Sequence, residues 1–322
     1  MVAARGPGSP PLRVVYFGTP SFAVPSLAAL LKSRHTVVGV VSQPDRPKGR
    51  GQRVAATPTK ELAVLCGVPV LQPTRLRDDA FLAAITELRP DLGVVAAYGR
   101  ILPDALLAIP RLGLINVHAS LLPAYRGAAP VHRAVIGGDP VTGVTIMRVV
   151  QELDAGPMLA RVTIPIGPDA TSPEIESQLA ERGSLLLLEV VEQLADGVVV
   201  ETPQDHAHAT YAPKILKTES PIDWSMPAAR IHNLVRGLQP WPLASTTLDG
   251  SRLLIHRTAL RADASAGAAP GTVVRADGAV LEVAAGEGVL QVLQLQPEGR
   301  RPMTAREFLS GHRVAVNTHL PS

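Results

Sequence analysis

The chain has 322 residues, of which 46% are apolar and 18% charged, enough to bury two separate cores and unlike a disordered composition. Its net charge of +3 permits an anionic partner without requiring one, and an aromatic content of 3% leaves few surfaces on which bases could stack. The single cysteine, Cys66, excludes an internal disulfide and a thiolate zinc site, and its setting in Lys60-Glu-Leu-Ala-Val-Leu-Cys66 reads as a buried structural thiol.

Met1–Pro11 is rich in Pro and Gly and has no apolar core, so residues 1–12 read as a disordered tail and not as a secretory signal. Arg13–Phe17 is a β-branched run closed by Gly18. Thr19-Pro20-Ser21 and an Ala/Leu-rich stretch to Lys32 follow it, giving strand, turn and helix. The alternation continues with a strand at Thr36–Ser42, a helix at Thr57–Cys66, a strand at Val68–Leu71, a helix at Asp78–Leu88 and a strand at Leu92–Ala97. Leu114–Val117 is the next strand and Gly127–Ile136 the next helix. Strands at Val144–Val150 and Met158–Ile166 precede a long helix over Ser172–Leu194. Strands apolar on both faces and separated by helices predict an α/β domain over 13–201, with a parallel sheet covered on two sides. Residues 202–221 are polar and aperiodic, as a surface linker is. Beyond them Leu253–Arg257, Gly271–Arg275, Val280–Ala284 and Val289–Leu295 alternate and are punctuated by turns. They predict a small β-barrel over 222–322. Thr304 with Glu307 forms a capping box for a short last helix. No apolar run reaches membrane-spanning length, so a cytoplasmic protein without a membrane partner is expected, and the absence of an apolar heptad suggests a monomer.

The first strand-to-helix turn, Gly18-Thr19-Pro20-Ser21-Phe22-Ala23, lacks the glycines that let a backbone approach a pyrophosphate, and no Walker A sequence occurs. Dinucleotide and ATP binding are disfavoured. The chemistry-bearing stretch is Asn116-Val-His118-Ala-Ser120-Leu-Leu-Pro123-Ala-Tyr-Arg126-Gly127. Asn116 and His118 lie two apart at the carboxyl end of a predicted strand and so share one side of it, at the sheet edge where open α/β folds bind ligands. Asp154, in Leu153-Asp154-Ala-Gly156-Pro157, adds a carboxylate on a tight turn. An amide and an imidazole can stabilise an oxyanion, while a carboxylate orients the imidazole and accepts an amine's proton. Together they suit acyl transfer to an amine. Each residue alone has a plainer explanation: Asn116 or His118 could satisfy backbone groups, Asp154 could be only a turn residue, and Ser120 only a cap. His206 and His208 read as solvated loop residues and not as metal ligands. A second feature is the loop Gln43–Arg53, where Arg46, Lys48, Arg50 and Arg53 face one acid, Asp45. Such a loop is ordinarily a solvated one, and it also suits a polyanion.

The segment from Asn116 to Gly127 followed by Asp154-Ala-Gly156-Pro157 resembles the active-site signature of the folate-dependent formyltransferase family. The resemblance implies a Rossmann-like catalytic domain with a smaller OB-like barrel. It implies Asn116, His118 and Asp154 as the catalytic trio, and Ser120, Leu121, Leu122 and Pro123 as contacts to the co-substrate 10-formyltetrahydrofolate, with no metal. Val15-Tyr16-Phe17-Gly18-Thr19-Pro20, the basic loop, Ile222-Asp223-Trp224 and Pro240-Trp241-Pro242 are similar to segments of the members that act on initiator methionyl-tRNA. That likeness implies that the basic loop engages tRNA through Arg46, Lys48, Arg50 and Arg53, and that the barrel binds tRNA. An amino-sugar nucleotide is the alternative acceptor, and an RNA-binding barrel protein with an inactive α/β domain is the alternative of another class. One departure stands out: the family's C-terminal domain is expected to be clearly basic, yet Lys217–Ser322 holds eleven Lys/Arg against nine Asp/Glu.

Overall fold

The computed structural model describes residues 9–48, 53–261 and 267–321, and among them the backbone contacts define two compact units. Unit 1 takes Met1–Ala128, Thr142–Ile164 and Glu176–Ala212; unit 2 takes Ala129–Val141, Pro165–Ile175 and Pro213–Ser322. The expected tail falls largely on residues 1–8, which lie outside the described residues. Leu12 is buried, and its N–H donates to His35 Nδ1 at 3.0 Å.

In chain order the first part of the molecule reads β1 (Arg13–Gly18), α1 (Val24–Lys32), β2 (Thr36–Val41), β3 (Arg46–Lys48), β4 (Arg53–Ala55), α2 (Pro58–Leu65), β5 (Val70–Leu71), α3 (Asp79–Glu87), β6 (Leu92–Ala96), α4 (Asp104–Leu107), β7 (Leu114–His118), β8 (Arg126–Gly127), α5 (Pro130–Gly137), β9 (Val141–Arg148), β10 (Met158–Pro165), α6 (Ser172–Asp196) and β11 (Tyr211–Ala212). Capping residues set several boundaries. Thr57 and Asp78 accept from the N–H groups of Lys60 and Ala80 at the starts of α2 and α3. The helix expected from Gly127 starts only at Pro130, whose fixed φ suits a first helical position. Cys66 corrects the expectation of a buried thiol. It caps α2 at the surface and is exposed, with Val64 and Leu65 exposed beside it, because only Thr59 and Ala63 of that helix face the core.

The main sheet of unit 1 has the order β10-β9-β7-β6-β1-β2-β5. Its members from β7 to β5 are parallel, whereas β9 runs antiparallel to β7. After β1 the chain builds outward through β2 and β5, then returns to the other side of β1 as β6. The reversal places a topological switch point at the carboxyl ends of β1 and β6, where a crevice forms. Central strands are apolar throughout, and Phe17, Phe81, Ile85, Tyr98 and Leu106 form the core on one face of the sheet.

Unit 2 continues with α7 (Ala228–Gly237), β12 (Ala244–Leu248), β13 (Ser251–Arg261), β14 (Val273–Asp277), β15 (Val280–Ala284), β16 (Val289–Pro297), β17 (Met303–Thr304) and α8 (Ala305–Gly311). The strands pair antiparallel in the order β12-β13-β16-β15-β14, with β17 on β16, the pairing of the small barrel expected from the sequence. The C-terminal segment spans the two edges. Asn317 N–H donates to Val273 O on β14, and Thr246 Oγ1 on β12 donates to Pro321 O at 2.7 Å. Trp224, Ile231, Val235, Leu290, Leu295 and Phe308 fill the interior, and each large apolar side chain withdrawn from water contributes about 1.5–3 kcal/mol. Helix α7 has no counterpart among the elements expected from the sequence. Its apolar residues recur at helical spacing in Ile231, Leu234, Val235 and Leu238 but are interrupted by charges.

Candidate active site

Strand β7 lies between β6 and β9, which fixes its register on both sides. Asn116 is half-buried and His118 is buried at its carboxyl end, two positions apart and so on one side of the sheet. His118 Nε2 donates to the Tyr125 carbonyl at 3.0 Å, which assigns the proton to that nitrogen because a carbonyl only accepts. Nδ1 is then the atom that faces Asp154, whose Oδ2 lies 3.7 Å away. That separation is too long for a direct hydrogen bond and leaves Nδ1 able to engage a third group.

Asp154 is held in an unusual backbone conformation. Its φ is +50°, in the left-handed region that costs a non-glycine residue roughly 1–2 kcal/mol. Three contacts sustain it: Gly127 N–H donates to Asp154 Oδ2 at 2.8 Å, and Gln204 Nε2 donates to both the Asp154 and the Gly156 carbonyls at 2.8 Å. At position 156 any Cβ would collide with the Arg148 carbonyl oxygen, so the turn requires glycine there. Gln204 is itself oriented by Arg126, whose Nε and Nη2 donate to its Oε1 at 3.1 and 2.8 Å. Both side chains are buried, and Arg126 also reaches Glu152 at 3.5 Å. Nothing in the polar stretch from Thr202 marks Gln204 as special in the sequence. Its partners lie far away along the chain, so only folding reveals it.

The segment Ser120–Pro123 is pinned to β9. Thr145 Oγ1 donates to Ser120 O at 2.7 Å and accepts from Leu122 N–H at 3.1 Å. Ser120 Oγ donates to Ala124 O at 2.6 Å, so its proton is committed to the turn, and Leu122 is buried. Leu121 and Pro123 remain half-buried and are the accessible members of that segment.

A cleft of about 360 Å³ opens at the switch point, lined by Thr19, Gln43, Arg46, Ala97, Tyr98 and Gly99 among others. It adjoins β7, because β6, which ends just before Ala97, pairs Val95 with Asn116 of that strand. The β3–β4 hairpin, in which Lys48 is paired with Arg53, contributes Arg46 and Ala55 to the lining of the cleft. Arg46 is exposed and donates to Gln43 Oε1 at 3.2 Å, while Arg50 lies outside the described residues. The loop's one acid is already spent. Asp45 binds Lys60 Nζ at 2.5 Å and Gln72 Nε2 at 2.7 Å, and the Lys60 hydrogen bond, then that from Gln72, holds its carboxyl below the usual range. Asp45 is thus engaged by Lys60 and Gln72, while Arg46 turns to Gln43.

Elsewhere, His208 pairs with Asp205 at 2.8 Å and is exposed, and His206 Nδ1 lies 3.4 Å from Arg126 Nη2. Among the described residues no group of three or more His, Cys, Asp or Glu is placed to hold a metal ion. Of the basic residues in unit 2, Arg236 is buried against the Ala170 carbonyl, Arg252 donates to Ser220, and Arg257 and Arg261 pair with Glu174 and Glu282. Arg230 is exposed.

Comparison with known proteins bears on this arrangement. The family described as formyl transferase matches residues 12–191, and the family described as formyl transferase, C-terminal domain, matches residues 214–313. The methionyl-tRNA formyltransferase of Roseiflexus castenholzii is 47% identical over 311 residues, covering 96% of this chain and 99% of that protein. Among solved structures, the N-formyltransferase of Helicobacter canadensis, in complex with folinic acid and dTDP-3-aminofucose, superposes with a TM-score of 0.67 at 16% identity. The match covers 89% of this chain and 99% of that one. HypX from Aquifex aeolicus in complex with tetrahydrofolic acid gives a TM-score of 0.65 at 18% identity over 96% of this chain and 51% of that one. At those identities the two structures speak to the fold alone.

Proposed function

The chain belongs to the methionyl-tRNA formyltransferase family, within the formyl transferases, and from that membership we propose that it moves the formyl group of 10-formyltetrahydrofolate to the free amino group of initiator methionyl-tRNA. The observation that carries the reading is the approach of His118 Nδ1 to Asp154 Oδ2, at the rim of the sheet and beside Asn116.

The amine of the methionyl ester attacks the formyl carbon, and negative charge develops on the formyl oxygen. The Asn116 amide and the protonated Nδ1 of His118 donate to that oxygen, since Nε2 is already engaged by Tyr125 O. Asp154 removes one proton from the attacking nitrogen. When the bond from carbon to the folate nitrogen breaks, Asp154 returns the proton to that leaving nitrogen, so the balance closes without a metal or a covalent enzyme intermediate. Leu121 and Pro123, with Ser120 and Leu122 holding their turn, would contact the folate. Arg46, Lys48, Arg50 and Arg53 would engage phosphates near the acceptor end, which is thereby aimed into the cleft beside β6. Substrates used in translation support a cytoplasmic location, and the lack of an apolar heptad in the sequence supports a monomer.

A transfer assay with 10-formyltetrahydrofolate and three acceptors offered in parallel tests the reading: charged initiator tRNA, charged elongator tRNA and amino-sugar nucleotides. The initiator species should be formylated fastest. Preference for an amino-sugar nucleotide would overturn the acceptor assignment, and the basic hairpin speaks against that outcome.

A further inference from the structure

Residues 202–212 do more than leave the α/β unit. Gln204 reaches from this strap to the Asp154 turn with both amide protons, while its oxygen takes two bonds from Arg126. Six residues on, Thr210 fastens the other catalytic loop. Its Oγ1 accepts from Tyr125 N–H at 2.8 Å, its carbonyl accepts from Arg126 N–H, and its N–H donates to Pro123 O. Tyr211 and Ala212 then pair as β11 with Arg126 and Gly127 of β8. The strap thus clamps two loops at once. One carries Asp154. The other carries Tyr125, which fixes His118, and Gly127, which fixes the Asp154 carboxylate.

We propose that Gln204 is a positioning residue for formyl transfer, one that holds Asp154 in its left-handed conformation and so sets the carboxylate against His118 and the attacking amine. The inference rests on the assignment of Asp154 as the proton acceptor. Its physical basis is that a residue in a sparsely populated backbone conformation keeps it only where its surroundings over-determine it. Here the carbonyls on either side of Ala155 are both anchored to one buried amide. Every hydrogen-bonding position of that amide is used: two donors on the turn, and an oxygen shared by the guanidinium.

Gln204→Glu is the discriminating variant, because it keeps an oxygen for Arg126 and removes both protons given to the turn. Gln204→Met, similar in length and apolar, removes all four bonds. In the full-length enzyme Gln204→Glu should lower kcat by up to about 10²-fold, as an ångström-scale misplacement of a catalytic group does. The KM values for folate and tRNA should stay within about 2-fold, because uniform binding is untouched. The pH profile of kcat should shift, and the melting temperature should stay close to wild type. Combining Gln204→Glu with Asp154→Asn provides the cycle. If Gln204 acts through Asp154, the double variant is no slower than Asp154→Asn alone. A full independent loss added on top of Asp154→Asn would overturn the proposal, as would a Gln204→Glu enzyme with wild-type kcat and an unmoved pH profile. So would losses in Gln204→Glu and Gln204→Met that follow only the folded fraction. An Asp154→Asn enzyme of normal turnover would instead remove the underlying assignment, an outcome separable from the others.

Discussion

At the scale of single residues, the site is governed by where each proton sits. Tyr125 O accepts from His118 Nε2, Gly127 N–H and Gln204 hold Asp154, and the pair lies 3.7 Å apart with His118 Nδ1 facing the carboxylate. Asn116→Ala and Asp154→Ala should each reduce kcat by roughly 10²-fold or more, the cost of losing one preorganised oxyanion donor or the proton acceptor. Circular dichroism should show both folded, since neither side chain fills the core. Single-turnover rates within a few-fold of wild type would refute the assignment. Gly156→Ala belongs to a different class: its Cβ meets a backbone oxygen that cannot swing aside. It should destabilise the protein by about 1–3 kcal/mol, the usual cost of a forced overlap, seen as a lower urea midpoint.

Among the elements, the β3–β4 hairpin and the last helix give contrasting tests. The hairpin is tethered at its base by Asp45, Lys60 and Gln72. Lys48→Ala and Arg50→Ala should raise the KM for tRNA and leave that for folate unchanged. Each should flatten the dependence of log KM on log salt by about one phosphate's worth. Equal effects on both substrates would remove the hairpin from tRNA binding. Helix α8 is a matter of local stability only. Thr304 Oγ1 accepts from Glu307 N–H at 3.2 Å, and Glu307 accepts from Thr304 N–H at 2.8 Å. Thr304→Ala should cost about 1 kcal/mol in denaturant unfolding and leave turnover alone. This capping box was legible in the sequence because its partners are three residues apart. The antiparallel course of β9 was not, since an apolar run buried on both faces reads the same in either direction.

For the molecule as a whole, several carboxyls sit below their usual range. Glu192 is lowered mainly by its hydrogen bond from Arg34, Glu219 by that from Arg133, and Glu174 by the Thr171 backbone. A depressed folded pKa adds stability above the unfolded value that is lost as pH falls through the folded one. Urea midpoints should therefore hold steady down to about pH 5 and decline below about pH 4. A midpoint unchanged at about pH 3 would show that these pairs add nothing. The sequence by itself determined the alternation of strands and helices in unit 1, the antiparallel texture of unit 2, and the residue types that suit acyl transfer. Periodicity, caps and turn residues act over a few positions, and such local rules need no tertiary partner. The clamp around Asp154 was decided only by the tertiary structure. Arg126 and Gln204 are 78 positions apart, and Gln204 stands 50 beyond Asp154. Whether such groups meet depends on how the strap returns over β8, and the hydrogen bonds that fix Asp154 exist only once that return is complete.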